Sequence, residues 1–282
     1  SPTSPGADLQ NTAMQMANRI RHRGPDDSGS WHDQESGLAL AQQRLSIIDL
    51  SDQGHQPMLS SSGRFVIAYN GEIYNHMELR RDIEKEARAP DWRGHSDTET
   101  LFACIEAWGV SKSLSRVVGM FAFALWDRKE KSLILARDRV GEKPLYYGWQ
   151  GNVFVFASEL KAIQAYSAFE GTIDRNALTL LLRHNCIPAP YSVYEGIGKL
   201  LPGHTLLIPI ELANCSSNAD PQPYWSVSEV VDRGLRTQFE GSEREAVDEV
   251  ERQLMHTIEG QMISDVPHGA FLSGGIDSST VV

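Results

Sequence analysis

Short apolar runs of strand length recur through the first 210 residues, and they predict a fold rich in β-sheet. Residues 65–69 (FVIAY) are apolar, and the turn-favouring pair Asn70-Gly71 follows them, which predicts that this strand ends there. Residues 120–126 (MFAFALW) and 133–136 (LILA) flank a short charged stretch and predict a hairpin. Further strands are predicted at 153–157 and 205–208.

Helix-start signals lie between the predicted strands. Asn75 with Glu78, and Ser96 with Glu99, have the spacing of an N-cap residue and its partner at the third helical position. The helices that follow carry apolar residues at helical spacing: Leu79 and Ile83 in the first, and Leu101, Phe102, Ile105 and Trp108 in the second. Strands and helices mixed in this way predict an α+β fold of stacked sheets with helices outside.

The last quarter of the chain predicts a second unit. Residues 211–223 are rich in Asn, Ser, Asp and Pro and predict a linker or long surface loop. Ser242 and Glu245 predict a capped helix, and residues 266–272 predict a strand. The buried face of that helix is predicted to be Val247, Val250, Leu254, Ile258 and Met262. We therefore divide the chain into a first domain at 1–210, a linker at 211–240 and the start of a second, truncated domain at 241–282.

The bulk composition excludes several classes of function. The chain has 26 basic and 37 acidic residues, a net charge of −11, which disfavours nucleic acid as a partner. Three widely spaced cysteines suggest neither a disulfide framework nor a structural zinc site, and they fit a reducing, cytoplasmic setting. The chain has no apolar stretch of the roughly 20 residues that a membrane-spanning helix needs.

A glycine-rich loop follows the predicted strand at 266–272. Residues 273–278 read SGGIDS, and a helix is expected to begin directly after them. Two glycines let the backbone approach a phosphate closely, while the hydroxyls and the helix N-terminus donate hydrogen bonds to it. Asp277 is placed where it could meet a magnesium ion that bridges phosphates, directly or through water. Taken alone, the motif could also be a hydroxyl-capped Gly-Gly turn.

A second group of residues has the chemistry needed to bind an amino acid. The guanidinium of Arg44 could bind a carboxylate with two hydrogen bonds. Asn70 and Gly71 could direct a side-chain amide and a backbone N–H at a developing oxyanion. Glu72 and Asp97 add two carboxylates that could hold an ammonium group. Each residue also has a structural explanation, as a surface ion pair, a turn or a helix start.

Taken in order, the motifs of the chain closely resemble the glutaminase domain of class II amidotransferases, specifically the asparagine synthetase branch. The matching segments are RHRGPD at 21–26, RLSIID at 44–49, GHQPM at 54–58, YNGEIYN at 69–75, SDTE at 96–99, GMFAF at 119–123, ARDR at 136–139, KPLYY at 143–147 and SELK at 158–161. The loop at 273–278 resembles the SGGxDS loop of ATP pyrophosphatases. The resemblance spans nearly the whole chain.

This resemblance implies a fold and a role for each motif. The implied fold is an Ntn-hydrolase-type α/β/β/α sandwich, followed by the start of an α/β adenine-nucleotide α-hydrolase-like domain. Arg44, with the backbone of Leu45, Ser46, Ile47 and Ile48, would bind the α-carboxylate of glutamine. Asn70 and Gly71 would form the oxyanion hole, and Glu72 and Asp97 would bind the α-amino group. ATP with Mg²⁺ would be held by Leu272, Ser273, Gly274, Gly275, Asp277 and Ser278.

The family's nucleophile is an N-terminal cysteine that opens the first strand. No cysteine precedes Cys104, which is predicted to lie within a helix, and Ser1 is followed by a polar segment that does not resemble an apolar strand. We therefore expect the chain to lack the nucleophile and its strand, and to be inactive by itself. Its parent is expected to begin with Met-Cys.

Four functions remain open at this stage. The first is glutamine-dependent asparagine synthesis by the parent protein, with aspartate as acceptor and asparagine, glutamate, AMP and diphosphate as products. The second is amidation of another carboxylate, such as a sugar acid, which Glu142 between Gly141 and Lys143 slightly favours. A β-lactam-synthetase-like enzyme is disfavoured because the glutamine-site residues are retained. A non-catalytic glutamine-binding domain is the last, and a homodimer is compatible with all of them.

Overall fold

The structure, a computed structural model, describes residues 5–210, 220–267 and 269–282. The strands are β1 Asp27–Asp33, β2 Leu38–Arg44, β3 Met58–Leu59, β4 Phe65–Ile73, β5 Gly119–Asp127, β6 Ser132–Arg137, β7 Tyr146–Gln150, β8 Val153–Ala157, β9 Ile197–Lys199, β10 His204–Pro209 and β11 Gln222–Pro223. The helices are α1 Pro5–Asn18, α2 His76–Lys85, α3 Asp97–Trp108, α4 Val110–Arg116, α5 Leu160–Ile163, α6 Arg175–His184, α7 Val227–Arg236, α8 Glu243–Gln261 and α9 Ile276–Val281.

The largest sheet has six antiparallel strands in the order β11-β10-β6-β5-β4-β3. The predicted hairpin at 120–136 is its centre, because β5 and β6 pair antiparallel from Ala122 with Arg137 to Asp127 with Ser132. The predicted strands at 153–157 and 205–208 are also confirmed, as β8 and β10. The apolar runs therefore located the strands of the core correctly.

Two smaller sheets form a second layer. One is the hairpin β1-β2, and the other has the order β8-β7-β9. Buried side chains of the six-stranded sheet, including Val66, Ala124 and Trp126, pack with Leu40 of β2 and with Phe154 and Phe156 of β8. The two layers thus meet face to face, as in a sandwich.

Helices cover both outer surfaces. On one side, α2 and α3 pack together, and Ile83, Leu101 and Ile105 share one buried cluster with the apolar odd-numbered residues of β4. On the other side, α1 packs on β1 and β2, and α5 packs on β8. The arrangement is the predicted α/β/β/α sandwich of the Ntn-hydrolase type.

The prediction that the strand ends at Asn70-Gly71 is wrong. β4 continues to Ile73, and its last residues pair with β5 in the same register as the first. A Cβ added to Gly71 would lie 2.2 Å from the backbone oxygen of Met120. This glycine therefore allows two strands to approach closely and does not make a turn.

The predicted helix caps are confirmed in part. The Ser96 hydroxyl accepts a hydrogen bond from the Glu99 N–H at 3.2 Å, but the Glu99 carboxylate accepts from Arg93 and Gly94 and does not return to Ser96. Asn75 precedes α2 as predicted, yet its side chain makes no capping bond. Its amide instead bridges the Arg116 carbonyl and the Val118 N–H. In α3, Cys104 lies within the helix and is buried, as expected.

The C-terminal unit follows its local predictions but not its packing predictions. Ser242 and Glu245 form a reciprocal capping box that begins α8. The predicted buried face of α8 is wrong, since Val247 and Val250 are 60% and 58% exposed and no buried residue occurs in the helix. Of the predicted loop at 211–223, residues 211–219 lie outside the described part, and 222–223 form β11.

The predicted strand at 266–272 is also absent from the residues that the structure describes there. A strand needs a partner to satisfy its backbone hydrogen bonds, and no described strand lies beside this segment. Across the described chain, no helix is long and apolar enough to cross a membrane.

Candidate functional site

A cavity of about 720 Å³ is lined by residues of both sheet layers and of the loop that follows β2. The predicted glutamine-site residues that line it are Arg44, Leu45, Ile47, Ile48, Asn70, Gly71, Glu72 and Asp97. Ser46 is the one member of that set outside the lining, and its N–H donates to the Asp26 carboxylate at 2.9 Å. Residues from three separate motifs, up to 53 positions apart, therefore share one cavity.

Arg44, the last residue of β2, holds the loop that follows it in a closed shape. Its Nη2 donates to the carbonyl oxygens of Ile48 at 3.1 Å and Asp49 at 2.5 Å. The guanidinium occupies the space where a side chain on Gly54 would lie, because a Cβ there would be 2.0 Å from Nη2. None of the described residues accepts a hydrogen bond from Nε or Nη1, so these donors remain available to a carboxylate ligand.

Asn70 and Gly71 present two hydrogen-bond donors at the edge of β4. The Asn70 amide nitrogen is buried and has no hydrogen-bond partner among the described residues. Phe121 lies opposite Gly71 on β5. Its N–H donates to the Asp138 carboxylate and its carbonyl accepts from the Asp138 N–H, so neither group bonds to Gly71. Gly71 and Phe121 are therefore a non-hydrogen-bonded pair. The Gly71 N–H is therefore directed away from β5. A buried donor without a partner is costly unless a ligand satisfies it.

Gly71 lies on the same strand edge as two residues whose N–H groups have partners. The Tyr69 N–H donates to the Gln56 side chain at 2.7 Å, and the Ile73 N–H donates to Asp97 at 2.9 Å. The Gly71 N–H lies between them on this edge, beside the unpartnered Asn70 amide. Two such donors side by side have the chemistry that an oxyanion hole requires.

Two acids lie beside these donors. Asp97 is buried and accepts from the Tyr69 hydroxyl at 3.0 Å as well as from the Ile73 N–H. Burial raises the pKa of Asp97, and these hydrogen bonds oppose that rise. Burial also raises the pKa of Glu72, the nearby charge of Asp97 raises it further, and Lys143 lowers it. Two acids with raised pKa values form a site that an ammonium group would stabilise.

The structure adds Lys143 to the cavity, a residue whose motif was noted in the sequence but given no role. A turn supported by two neighbours positions it. The Asp138 carboxylate accepts from the Lys143 N–H at 3.0 Å, and Arg137 Nε donates to the Lys143 carbonyl at 2.7 Å. The ARDR and KPLYY motifs therefore form one unit that holds a cation opposite Glu72.

Two glutamines that sequence reasoning missed hold the strand edge. Gln42 of β2 donates to the Tyr69 carbonyl at 2.9 Å, and Gln56 accepts from the Tyr69 N–H. The two side chains thus hold the N–H and the carbonyl of Tyr69, the residue next to Asn70. Gln56 belongs to the GHQPM motif, so the motif was a usable signal, whereas Gln42 has no such signal.

The RHRGPD and SELK motifs meet at one acid on the cavity rim. The Glu159 carboxylate lies 3.0 Å from His22 Nε2, 3.1 Å from Arg23 Nη1 and 2.9 Å from Lys161 Nζ. These ion pairs tie the segment before β1 to the start of α5.

The predicted phosphate loop lies apart from this cavity. The hydroxyls of Ser273 and Ser278 are 2.9 Å apart, and Ser278 also donates to the Gly275 carbonyl at 3.2 Å. Gly274 has a φ of +75°, with nothing within 4 Å of a Cβ position. The loop is exposed, and its donor set suits a phosphate. The described residues contain no cluster of three or more metal-ligating side chains.

The sandwich, with its donors and acids at one end of the cavity, defines an Ntn-hydrolase-type amidotransferase domain. A family model described as a glutamine amidotransferase domain matches residues 3–225, and one described as asparagine synthase matches residues 249–282. The chain belongs to the glutamine amidotransferase family, in the branch that carries an asparagine synthase domain.

Similar proteins include two from Bacillus subtilis and one from Gibberella zeae. Asparagine synthetase [glutamine-hydrolyzing] 1 of B. subtilis is 35% identical over 100% of this chain and 42% of its own length. Asparagine synthetase [glutamine-hydrolyzing] 3 is 33% identical over 96% of this chain and 41% of its own length. Amidase chry2 of G. zeae is 34% identical over 93% and 37%. The chain thus spans less than half the length of these relatives.

Solved structures show the same fold. The glutamine phosphoribosylpyrophosphate amidotransferase of B. subtilis superposes with a TM-score of 0.56 at 19% identity, over 77% of this chain and 47% of that protein. A second structure, described as the allosteric regulatory enzyme of purine biosynthesis, gives a TM-score of 0.54. At this identity the likeness concerns the fold alone.

Proposed function

We propose that the cavity binds glutamine and that the full-length protein transfers the amide nitrogen of glutamine to aspartate, forming asparagine with ATP. The observation that carries the proposal is the buried Asn70 amide, which has no partner among the described residues and shares its cavity with Arg44, Glu72 and Asp97. A zwitterionic amino acid with a side-chain amide matches each of these groups. The asparagine synthetases among the relatives support the acceptor and the product.

The charged end of glutamine would be held at the loop after β2. Arg44 Nε and Nη1 would donate to the α-carboxylate, while Nη2 keeps the loop closed. Glu72 and Asp97 would accept from the α-ammonium group, which would return both carboxyl pKa values toward their ordinary range. The side-chain amide would then point along the cavity toward Asn70. Such binding at the unreactive end orients the reacting amide.

Asn70 and Gly71 would act on the amide oxygen. Attack on the amide carbon transfers negative charge to that oxygen, and the two donors would stabilise the charge most strongly at that point. Because β4 is fixed on both edges, the donors need little reorganisation. Their geometry comes from Gln42 and Gln56 on one edge and from the β5 ladder on the other.

The nucleophile would lie in the space between β2 and β8. β2 pairs only with β1 and β8 only with β7 among the described strands, yet β2 and β8 line the same cavity. Its floor is formed by small residues, Ala68, Ala122 and Ala124. We propose that a strand carrying a cysteine fills this space in the full-length protein, next to Asn70.

The loop at 273–278 would hold ATP in the second domain, whose start we continue to place at residue 241. Backbone N–H groups of Gly274 and Gly275 and the hydroxyls of Ser273 and Ser278 would bind phosphate, with Leu272 beside them. Asp277 would meet Mg²⁺ directly or through water. When bound, ATP would activate the acceptor carboxylate by adenylating it.

A second acceptor is supported by one observation. The relatives include proteins named amidases, chry2 of G. zeae and chyE of Penicillium rubens, at 34% and 33% identity. Their similarity to this chain matches that of the asparagine synthetases. Amidation of a carboxylate other than aspartate is therefore the alternative proposal.

The test uses the full-length protein incubated with glutamine, ATP, Mg²⁺ and either aspartate or other carboxylic acids. The expected result is glutamate release with equal amounts of asparagine, AMP and diphosphate. Release of glutamate with amidation of another acid would establish the alternative. Glutamine binding without glutamate release would indicate a non-catalytic binding domain and overturn the proposal.

A further inference from the structure

Asp265, which precedes the phosphate loop by eight residues, contacts the glutamine cavity from outside. Its carboxylate accepts a hydrogen bond from the Asp49 N–H at 2.7 Å and lies 2.7 Å from His95 Nε2. Its own N–H donates to the Ile47 carbonyl at 2.9 Å. One residue of the C-terminal unit thus makes three contacts with the first domain. His95 and Asp49 precede it in the sequence by 170 and 216 positions, respectively.

The first partner, Asp49, lies in the loop after β2 and is held there by several hydrogen bonds. It is buried, and its φ of 58° lies in the left-handed region that non-glycine residues rarely adopt. Its carbonyl accepts from Arg44, and its N–H donates to Asp265. Because the strained backbone is held at both ends, removal of either bond would let the loop relax.

The second partner, His95, directly precedes the cavity-lining residues Ser96 and Asp97. It stands two residues before Asp97, and its N–H donates to the Asp49 carboxylate at 3.1 Å. Asp49 packs tightly here, since a Cβ on Gly94 would lie 2.3 Å from its carboxylate. Asp265 therefore bonds both to the loop that Arg44 holds and to the segment that leads into Asp97.

We propose that Asp265 is a positioning residue for glutamine, which fixes the spacing between Arg44 and Asp97 from the segment that leads into the phosphate loop. This inference rests on the proposed glutamine site. Glutamine must span Arg44 and Asp97 with its carboxylate and ammonium groups, so a change in their spacing weakens binding of both the substrate and the transition state. The consequence is an effect on KM for glutamine with kcat unchanged.

The experiment measures glutamine KM and kcat for the full-length protein and for Asp265→Ala, together with glutamine Kd by calorimetry. We expect KM and Kd to rise about tenfold with kcat unchanged. Activity with ammonia in place of glutamine should stay at the wild-type level. Asp265→Asn keeps one acceptor oxygen and should give an intermediate KM. Asp248→Ala, an exposed acid of α8 in the same unit, is the control and should change nothing.

A double variant provides a second test. If Asp265 acts through His95, then His95→Ala should raise KM similarly, and His95→Ala with Asp265→Ala should add little to either single change. Unchanged KM in Asp265→Ala would overturn the proposal. So would a loss of ammonia-dependent activity with normal glutamine KM, because that result would assign Asp265 to the phosphate loop. A wild-type protein that does not bind glutamine would instead refute the proposed function.

Discussion

The sandwich and the C-terminal helices differ in how far local sequence determines structure. In the sandwich, Ile83, Val66 and Leu125 are fully buried, and each apolar face that the sequence predicts meets a partner. In the C-terminal unit, α8 begins at its predicted capping box, yet Val247 and Val250 remain largely exposed. A helix start needs only four consecutive residues, whereas a buried face needs a second element.

The same difference separates the two proposed ligand sites. The glutamine cavity is assembled from distant segments by strand pairing, and its donors are fixed by neighbours. Among the described residues, the hydrogen bonds of the phosphate loop run only between near neighbours, from Ser273 to Val282. We therefore expect substitutions in the glutamine cavity to have larger and more specific effects than substitutions in the phosphate loop.

The largest effect is expected from Asn70→Ala in the full-length protein. Loss of one oxyanion donor should lower kcat for glutamine hydrolysis by about 10²–10³-fold. Ammonia-dependent amide formation should be retained, because the second domain does not use Asn70. The matched control is Asn176→Ala, an exposed amide on α6. Equal loss of both activities would show that Asn70 supports folding and not the oxyanion.

The next largest effect is expected from two alanine substitutions that compare the sandwich and the C-terminal unit directly. Ile83→Ala removes a fully buried side chain and should lower the free energy of unfolding of the chain by about 2–5 kcal/mol. Val250→Ala, on the exposed face of α8, should change it by less than about 0.5 kcal/mol. Urea denaturation followed by tryptophan fluorescence measures both. A large effect of Val250→Ala would mean that α8 is covered in solution.

Much of the sandwich could be predicted from sequence because its strands are continuously apolar. β5, β6 and β8 were located from such runs, whereas β1, which is mostly polar, and β2, which ends in three polar residues, were not. The one mistaken boundary came from Asn70-Gly71, a pair whose turn preference is local. Pairing of nine residues of β4 with β5 outweighs that preference.

The residues of the candidate site were predictable to a similar degree. Arg44, Asn70 and Glu72 lie in motifs, and the structure brings them to one cavity. The supporting role of Gln42 could not be predicted, because its contact with Tyr69 depends on how two separate sheets face each other. Local sequence carries no signal for a contact between layers.

Two separate glycine-to-alanine substitutions test the close approach of β4 and β5. Gly71→Ala should destabilise the chain by about 1–3 kcal/mol, since its Cβ would meet the Met120 backbone oxygen. Gly234→Ala lies within α7, where a Cβ meets nothing within 4 Å, and should raise helicity and stability by about 0.5–1 kcal/mol. Urea titration and far-ultraviolet circular dichroism measure the two effects. Opposite signs are expected, and a neutral Gly71→Ala would contradict the strand register.

The smallest effect is a pH-dependent gain in stability from Glu72→Gln. Burial and Asp97 raise the pKa of Glu72 in the folded chain, so folding is opposed by its charge. At a pH below the pKa of Glu72 in the unfolded chain, the carboxyl is protonated in both states and does not destabilise the fold. The destabilisation grows as pH rises and reaches its full value above the pKa of Glu72 in the folded chain. Glu72→Gln should therefore have a higher Tm than wild type at pH 7, and the difference should vanish near pH 4.

The control and the functional consequence complete this comparison. Glu251→Gln changes an exposed acid on α8 and should leave the pH dependence of Tm unaltered. Glu72→Gln should also weaken glutamine binding, because the ammonium group would lose one of its two acids. A residue that lowers stability while it strengthens ligand binding is typical of a functional site. Were Glu72→Gln to lower Tm at pH 7, the carboxylate would be a structural ion-pair partner of Lys143 and the assignment to the ammonium group would fail.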